Sequence, residues 1–198
     1  MMRWIMLVLV FMNVVACQKE DVSQQPSPPG DVHPLMSYIN LSDTTIVFGK
    51  AASYDLDSNG SKDVYFATQL VGDPLSQQDK KQWLAGGSLT THFPINANES
   101  IPVMNAMDEI PVVSFLGYNW YNAPEILVAQ KIISMNMPPY WEGDWKEANH
   151  RYIPVQIKTD SALYNGWVEV SFSTDNETMI LHKAALSKKA NKAIKAGK

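Results

Sequence analysis

Trp167-Val168-Glu169-Val170-Ser171-Phe172 alternates its side chains with a period of two. In an extended chain, successive side chains point to opposite faces. Trp167, Glu169 and Ser171 therefore share one face, and Val168, Val170 and Phe172 share the other. A helix would scatter both sets around its axis, so the segment is predicted to be a strand. Tyr152-Ile153-Pro154-Val155-Gln156-Ile157, just before it, has the same β-branched and aromatic character. Pro154 suits an edge or a bulge better than a central position. Behind the opening segment, Thr174-Asp175-Asn176-Glu177 supplies turn chemistry and Thr178-Met179-Ile180-Leu181-His182 a further strand.

Toward the N-terminus the same signals recur. Thr44-Thr45-Ile46-Val47-Phe48 and Asp63 to Val71 read as strands, with the hairpin-turn pair Asn59-Gly60 between them. Glu125 to Ser134 fits a strand better than a short buried helix. Short strands separated by turn residues predict a mainly β chain folded as an antiparallel β-sandwich, jelly-roll-like and with long loops. The stretch from His92 to Tyr121 holds Pro94, Pro102 and Pro111 and is long for a loop, so it either carries function or wraps the sandwich. Ser187 to Lys198, rich in Lys and Ala, is expected to be a basic, solvated tail. No internal repeat is visible, and residues 35–198 are expected to form a single sandwich domain.

Hydrophobic residues make up 45% of the 198, enough for a packed core rather than disorder. The formal net charge of −4 argues against nucleic acid as a partner. There is one cysteine, Cys17, so no internal disulfide can form.

Asp55-Leu56-Asp57-Ser58-Asn59-Gly60-Ser61-Lys62-Asp63 places oxygen-bearing side chains at positions 1, 3, 5 and 9, with glycine at 6. A hard cation such as Ca²⁺ takes six to eight oxygen ligands, and a chain curling around it offers alternate side chains. Gly60 permits the sharp turn. The expected ligands are the side chains of Asp55, Asp57, Asn59 and Asp63 with the backbone carbonyl of Ser61. The pattern resembles the D-x-[DN]-x-[DN]-G-x-x-D calcium loops of integrin-type and dockerin-type repeats. It departs from the EF-hand at position 12, where Phe66 cannot ligate. The ion is expected to be structural, pinning a hairpin in a domain without disulfides.

Residues 1–17 begin with one basic residue, Arg3, continue as an apolar run and end on Val14-Val15-Ala16-Cys17. The run is too short to span a bilayer, which takes roughly 20 residues, and has the build of a cleavable targeting segment. Its end resembles the lipobox of bacterial lipoproteins. That resemblance implies a signal peptide over 1–16, cleavage before Cys17, and acylation of Cys17 by diacylglyceryl and palmitate-type chains. Two or more such chains anchor a protein stably in a membrane. Gln18-Lys19-Glu20-Asp21 resembles the export signal behind the cysteine of surface lipoproteins in the Bacteroidetes group. The implied place is the outer membrane, facing the cell surface. Residues 17–34, with Pro26, Pro28, Pro29 and Gly30, are expected to be a flexible tether.

Tyr118-Asn119-Trp120-Tyr121 and Tyr140-Trp141-Glu142-Gly143-Asp144-Trp145 combine rings with carboxylates. Trp120, Trp141 and Trp145 are candidate ligand-binding aromatics for a glycan or protein, although such rings more often pack into a core. Glu147 and His150 read as a solvated turn, and His33, His92 and His182 lack sequence-near partners of ligand spacing. H-E-x-x-H, G-x-S-x-G, S-x-x-K and phosphate-cradling glycine loops are all missing from the sequence. The sequence thus points to a membrane-anchored exported lipoprotein acting as a non-enzymatic, calcium-stabilised binding or structural module. The alternative is a surface hydrolase acting on polysaccharide or peptide, with its site in the His92–Tyr121 loop. The last third also looks like the closing strands of small exported lipoproteins with no assigned activity.

Overall fold

A computed structural model describes residues 33–198. Cys17, the signal segment 1–16 and the tether as far as residue 32 lie outside the described residues. The last two residues assigned to the tether belong to the fold. The Lys195 amide donates to His33 Nε2 at 2.9 Å, and Pro34 is buried.

The described residues contain thirteen strands and no helix. They are β1 (Met36–Ile46), β2 (Ala52–Tyr54), β3 (Val64–Asp73), β4 (Gln78–Gly87), β5 (Thr91–Ile95), β6 (Glu109–Ile110) and β7 (Asn119–Tyr121). There follow β8 (Ile126–Ser134), β9 (Tyr140–Glu142), β10 (Arg151–Lys158), β11 (Leu163–Ser173), β12 (Thr178–Ser187) and β13 (Ile194–Lys195). One sheet runs β1-β12-β11-β10-β5-β7, a second runs β2-β3-β4-β8-β9, and β6 pairs with β13. The pairings are antiparallel, as the alternation predicts for a sandwich.

The inner faces of the two large sheets make the main core. Phe66, Trp83 and Val128 from the second sheet join Ile153, Val155, Val168, Val170 and Leu181 from the first. Trp83 is fully buried, and its Nε1 donates to the Ile46 carbonyl at 2.9 Å, tying β4 to the end of β1. The alternation of β11 is therefore as the sequence predicts: Val168, Val170 and Phe172 enter this core.

The outer face of β11 is also covered, which explains the nearly unbroken burial of β10 and β11. Met36, Met104, Ile110, Tyr152, Trp167, Ala185, Ile194 and Ala196 form a second apolar cluster. Tyr152 packs edge-on against Trp167, with ring centroids 5.2 Å apart. The cover comes from the 92–121 segment and from the C-terminus. Met104 forms a bridge to Tyr152, and Ile110 of β6 pairs with Ile194 of β13.

This corrects the expectation of a solvated tail. Ile194 and Ala196 are buried at 1% and 0% exposure, while Lys188, Lys189 and Lys192 point to solvent. The apolar residues are few, but burying them shields Trp167, a gain that charge composition alone does not reveal. A second correction concerns the first hairpin. Thr44–Ile46 pairs with β12, not with β3. The strand opposite Val64–Phe66 is Ala52–Tyr54, three residues of which only Tyr54 is a strand former. Pro154 sits where β10 has only one ladder neighbour, since β5 reaches no further than Gln156 and Ile157. Its missing N–H is lost where no partner would receive it.

Candidate metal centre

β2 and β3 pair as far as Tyr54 and Val64, and the nine residues 55–63 close the hairpin between them. The Asp63 amide donates to the Tyr54 carbonyl at 2.8 Å, sealing the base of the loop. Leu56 is buried at 1% exposure and plugs the loop into the main core. Ser58 and Gly60 take left-handed backbone conformations, at φ 62° and 91°, which turn the chain back on itself.

The oxygen-bearing side chains fold inward onto their own backbone. Asp55 Oδ2 accepts from the Gly60 amide at 2.7 Å and its Oδ1 from the Asn59 amide at 3.2 Å. Asp57 Oδ1 accepts from the same Asn59 amide at 3.0 Å, and its Oδ2 from Asn59 Nδ2 at 2.9 Å. Asn59 Oδ1 accepts from the Ser61 amide at 2.7 Å. Asp63 Oδ2 accepts from the Leu56 and Asp57 amides at 2.6 and 3.2 Å. Asp55, Asp57 and Asp63 each offer a carboxylate oxygen, and these oxygens lie within 4.8 Å of one another. Asn59 joins them through its hydrogen bonds, and Ser61 lies exposed on the loop.

The electrostatics separate the carboxylates. Asp63 is buried at 2% exposure. Burial pushes its carboxyl above the usual range, the amides of Leu56 and Asp57 pull it back, and repulsion from Asp57 and Asp55 adds to the rise. For Asp55, desolvation also pushes upward, but hydrogen bonds from Gly60, Ser58 and Asn59 outweigh it and hold the carboxyl below its ordinary value. A divalent cation would relieve the repulsion felt by Asp63, and an all-oxygen donor set suits a hard ion such as Ca²⁺. Phe66, at the position where an EF-hand would place its glutamate, is buried in the core.

The three tryptophans do not form a common platform. Trp145 is 1% exposed in the main core, so the expectation of a ligand-binding ring is corrected there. Trp141 is half-buried, with ring centroids 5.3 Å from both Trp83 and Phe172. Trp120 packs with Phe115 against the second apolar cluster, away from the other two. All three rings bury apolar area to hold the layers together.

Asp144 and Glu147 are exposed, as expected of a solvated turn, but His150 is not a free member of it. His150 Nδ1 lies 2.8 Å from Glu169 Oε1, and its ring stacks on His182 with centroids 4.3 Å apart. Sequence spacing could not show this pair, because the registers of β10 with β11 and of β11 with β12 bring it together.

The site and fold together define a β-sandwich with a hairpin loop on which three aspartate carboxylates converge. No protein-family model matches the chain, and no curated protein or solved structure is significantly similar to it.

Proposed function

We propose that this chain is an exported lipoprotein, held in the outer membrane by acylated Cys17 and displayed at the cell surface. Its sandwich is stabilised there by one Ca²⁺ in the Asp55–Asp63 loop and serves as a binding or structural module. The observation that carries the reading is the convergence of Asp55, Asp57 and Asp63 within 4.8 Å, with Asp63 buried. The lone cysteine behind an apolar segment supports the anchor. A calcium supply outside the cell suits even a site of extracellular affinity, with Kd on the order of 10⁻⁴–10⁻³ M.

When bound, the ion would neutralise the carboxylates and fix the β2–β3 hairpin. Asp63, sealed to Leu56 and Asp57, would transmit that fixation to the core. In the loop of the hydrolase alternative, two of the three carboxylates are already engaged within the fold. Asp108 caps its own turn by accepting from the Asn105 amide at 2.7 Å, and Glu109 pairs with Lys195.

Two experiments test the reading. The chain should incorporate labelled palmitate in a bacterial host, and Cys17→Ala should abolish it; incorporation unchanged by that substitution would remove the anchor. Protease should digest the domain on intact cells, and replacing Lys19, Glu20 and Asp21 by alanine should protect it. Equal digestion of both would remove the export signal from the account.

A further inference from the structure

We propose that Ser171 is an activated nucleophile, with His182 as its general base and Asp43 holding that base, and that the site cleaves activated carboxylic esters by acyl transfer. This goes beyond the module described above and does not depend on its calcium ion.

The site is made where three neighbouring strands meet at irregularities in two of them. Between β11 and β12 the pairing steps from Glu169↔Lys183 to Val170↔Leu181, leaving His182 as an extra residue. Such a bulge re-aims a side chain. It places His182 beside Ser171, while Lys183 stays opposite Glu169 on the same outer face. Across β1 the register steps from Asn40↔Lys183 to Thr44↔Leu181. The intervening Ser42 and Asp43 both take left-handed conformations, at φ 57° and 49°. Non-glycine residues adopt these at a cost, smaller for Asp than for most, and here they turn β1 away from its ladder. The kink is braced by the Ser42 amide donating to Asn40 Oδ1 and by Thr44 Oγ1 donating to the Leu41 carbonyl.

Three side chains meet there. Asp43 Oδ1 lies 2.6 Å from His182 Nδ1, and His182 Nε2 lies 2.8 Å from Ser171 Oγ. A carboxylate can only accept, so neutral His182 carries its proton on Nδ1. Nε2 is then bare and accepts from the Ser171 hydroxyl. Nucleophile, base and orienting group thus stand in the order that serine activation requires. The His150 amide donates to Ser171 Oγ at 2.9 Å, fixing the hydroxyl rotor and leaving one lone pair for attack. The stacked His150 ring, tilted 20° from His182, holds the plane of the base. His150 is itself held by Glu169, whose side chain is 8% exposed. The near-parallel rings exclude one ion shared between them, because their nitrogen lone pairs lie in separate planes.

In the reaction, Oγ attacks the ester carbonyl carbon and its proton passes to His182 Nε2. The carbon–oxygen bond to the leaving group breaks, and the departing oxygen takes that proton. Water then gives a proton to His182 Nε2 and attacks the acyl carbon; the carbon–Oγ bond breaks, Ser171 Oγ takes the proton back from Nε2, and the carboxylic acid is released. Ester and water give acid and alcohol. The Asp43 side chain is 75% exposed, so solvent screens its support of the imidazolium. The site therefore suits esters with good leaving groups, such as aryl esters, rather than peptide amides.

The test treats the full chain with a fluorophosphonate in the presence of EDTA. Oγ displaces fluoride at phosphorus, with net loss of HF, and intact mass with peptide mapping locates the adduct. One adduct at Ser171 is expected, and none in Ser171→Ala. His182→Gln should slow labelling about a hundredfold, in line with loss of a general base. Asp43→Asn should slow it about tenfold with an unchanged melting temperature, since the residue is exposed. If His182→Gln does not fold, Asp43→Asn alone decides. No adduct at Ser171, under conditions that label a known serine hydrolase, overturns the proposal. So does equal labelling in Asp43→Asn.

Discussion

Asp55, Asp57, Asn59 and Asp63 come from nine consecutive residues, whereas Asp43, Ser171 and His182 come from three strands, with Asp43 and His182 139 positions apart. The first group needs only its own backbone to converge: an Asx-type turn, a left-handed Gly60 and a hairpin base. The second exists only when β1, β11 and β12 are in register and two of them are bulged. A contiguous site can be read as a motif; a site made by register cannot. The two should also fail differently.

The sharpest separation comes from the outer face of the first sheet. Trp167 is fully buried, on the same face as Ser171 and two pairs before it. Trp167→Ala should cost about 3–5 kcal/mol in chemical denaturation, the usual range for emptying a large aromatic site. In the fraction that stays folded, fluorophosphonate labelling should fall while calcium affinity is unchanged. A parallel loss of calcium affinity would show that the loop is not self-contained.

Calcium has the next largest effect. At about a hundredfold over Kd, an ion that binds only the folded chain adds about 2.7 kcal/mol. Melting should therefore rise by roughly 5–10 °C for a domain of this size. The double substitution Asp55→Asn, Asp57→Asn should remove the rise, and labelling of Ser171 should not change.

Without the ion, Asp63→Ala should destabilise by about 1–3 kcal/mol, because the Leu56 and Asp57 amides lose their acceptor. Asp63→Asn, which keeps an oxygen, should cost less. The pH dependence has a definite sign. The folded Asp63 carboxyl is raised by burial. In EDTA, its contribution to stability therefore grows as pH falls from the folded pKa to the lower unfolded one. With Ca²⁺ bound the carboxylate must stay ionised, so acid should instead destabilise through this group. Thermal melts across the acid range, with and without calcium, would show the reversal.

Glu177 supplies the smallest effect. It lies 2.5 Å from both Lys131 and Lys81, and the hydrogen bond from Lys131 is the main cause holding its carboxyl below the usual range. Glu177→Gln should cost about 1 kcal/mol or less, because the group is partly exposed and screened. Its stabilisation is present above the unfolded carboxylate pKa and is lost as pH falls through the folded one.

The sequence reading reached the sandwich because Val168, Val170 and Phe172 alternate with polar residues, and alternation is a local property. The convergence of Asp55, Asp57 and Asp63 was legible because it too is local, made within nine residues. Ala52–Tyr54 escaped because its pairing depends on the loop that closes it. The tail escaped because Ile194 and Ala196 have value only against Trp167. His150 and His182 carry no shared spacing at all. A bulge at His182 and left-handed residues at Ser42, Asp43 and His150 leave no mark that composition or periodicity can detect.

The most direct test of the central claim is a calorimetric titration of the full chain with Ca²⁺. One site with Kd on the order of 10⁻⁴–10⁻³ M is expected, abolished by Asp55→Asn, Asp57→Asn. Absence of binding heat, together with a melting temperature unchanged at calcium about a hundredfold above that Kd, would contradict it.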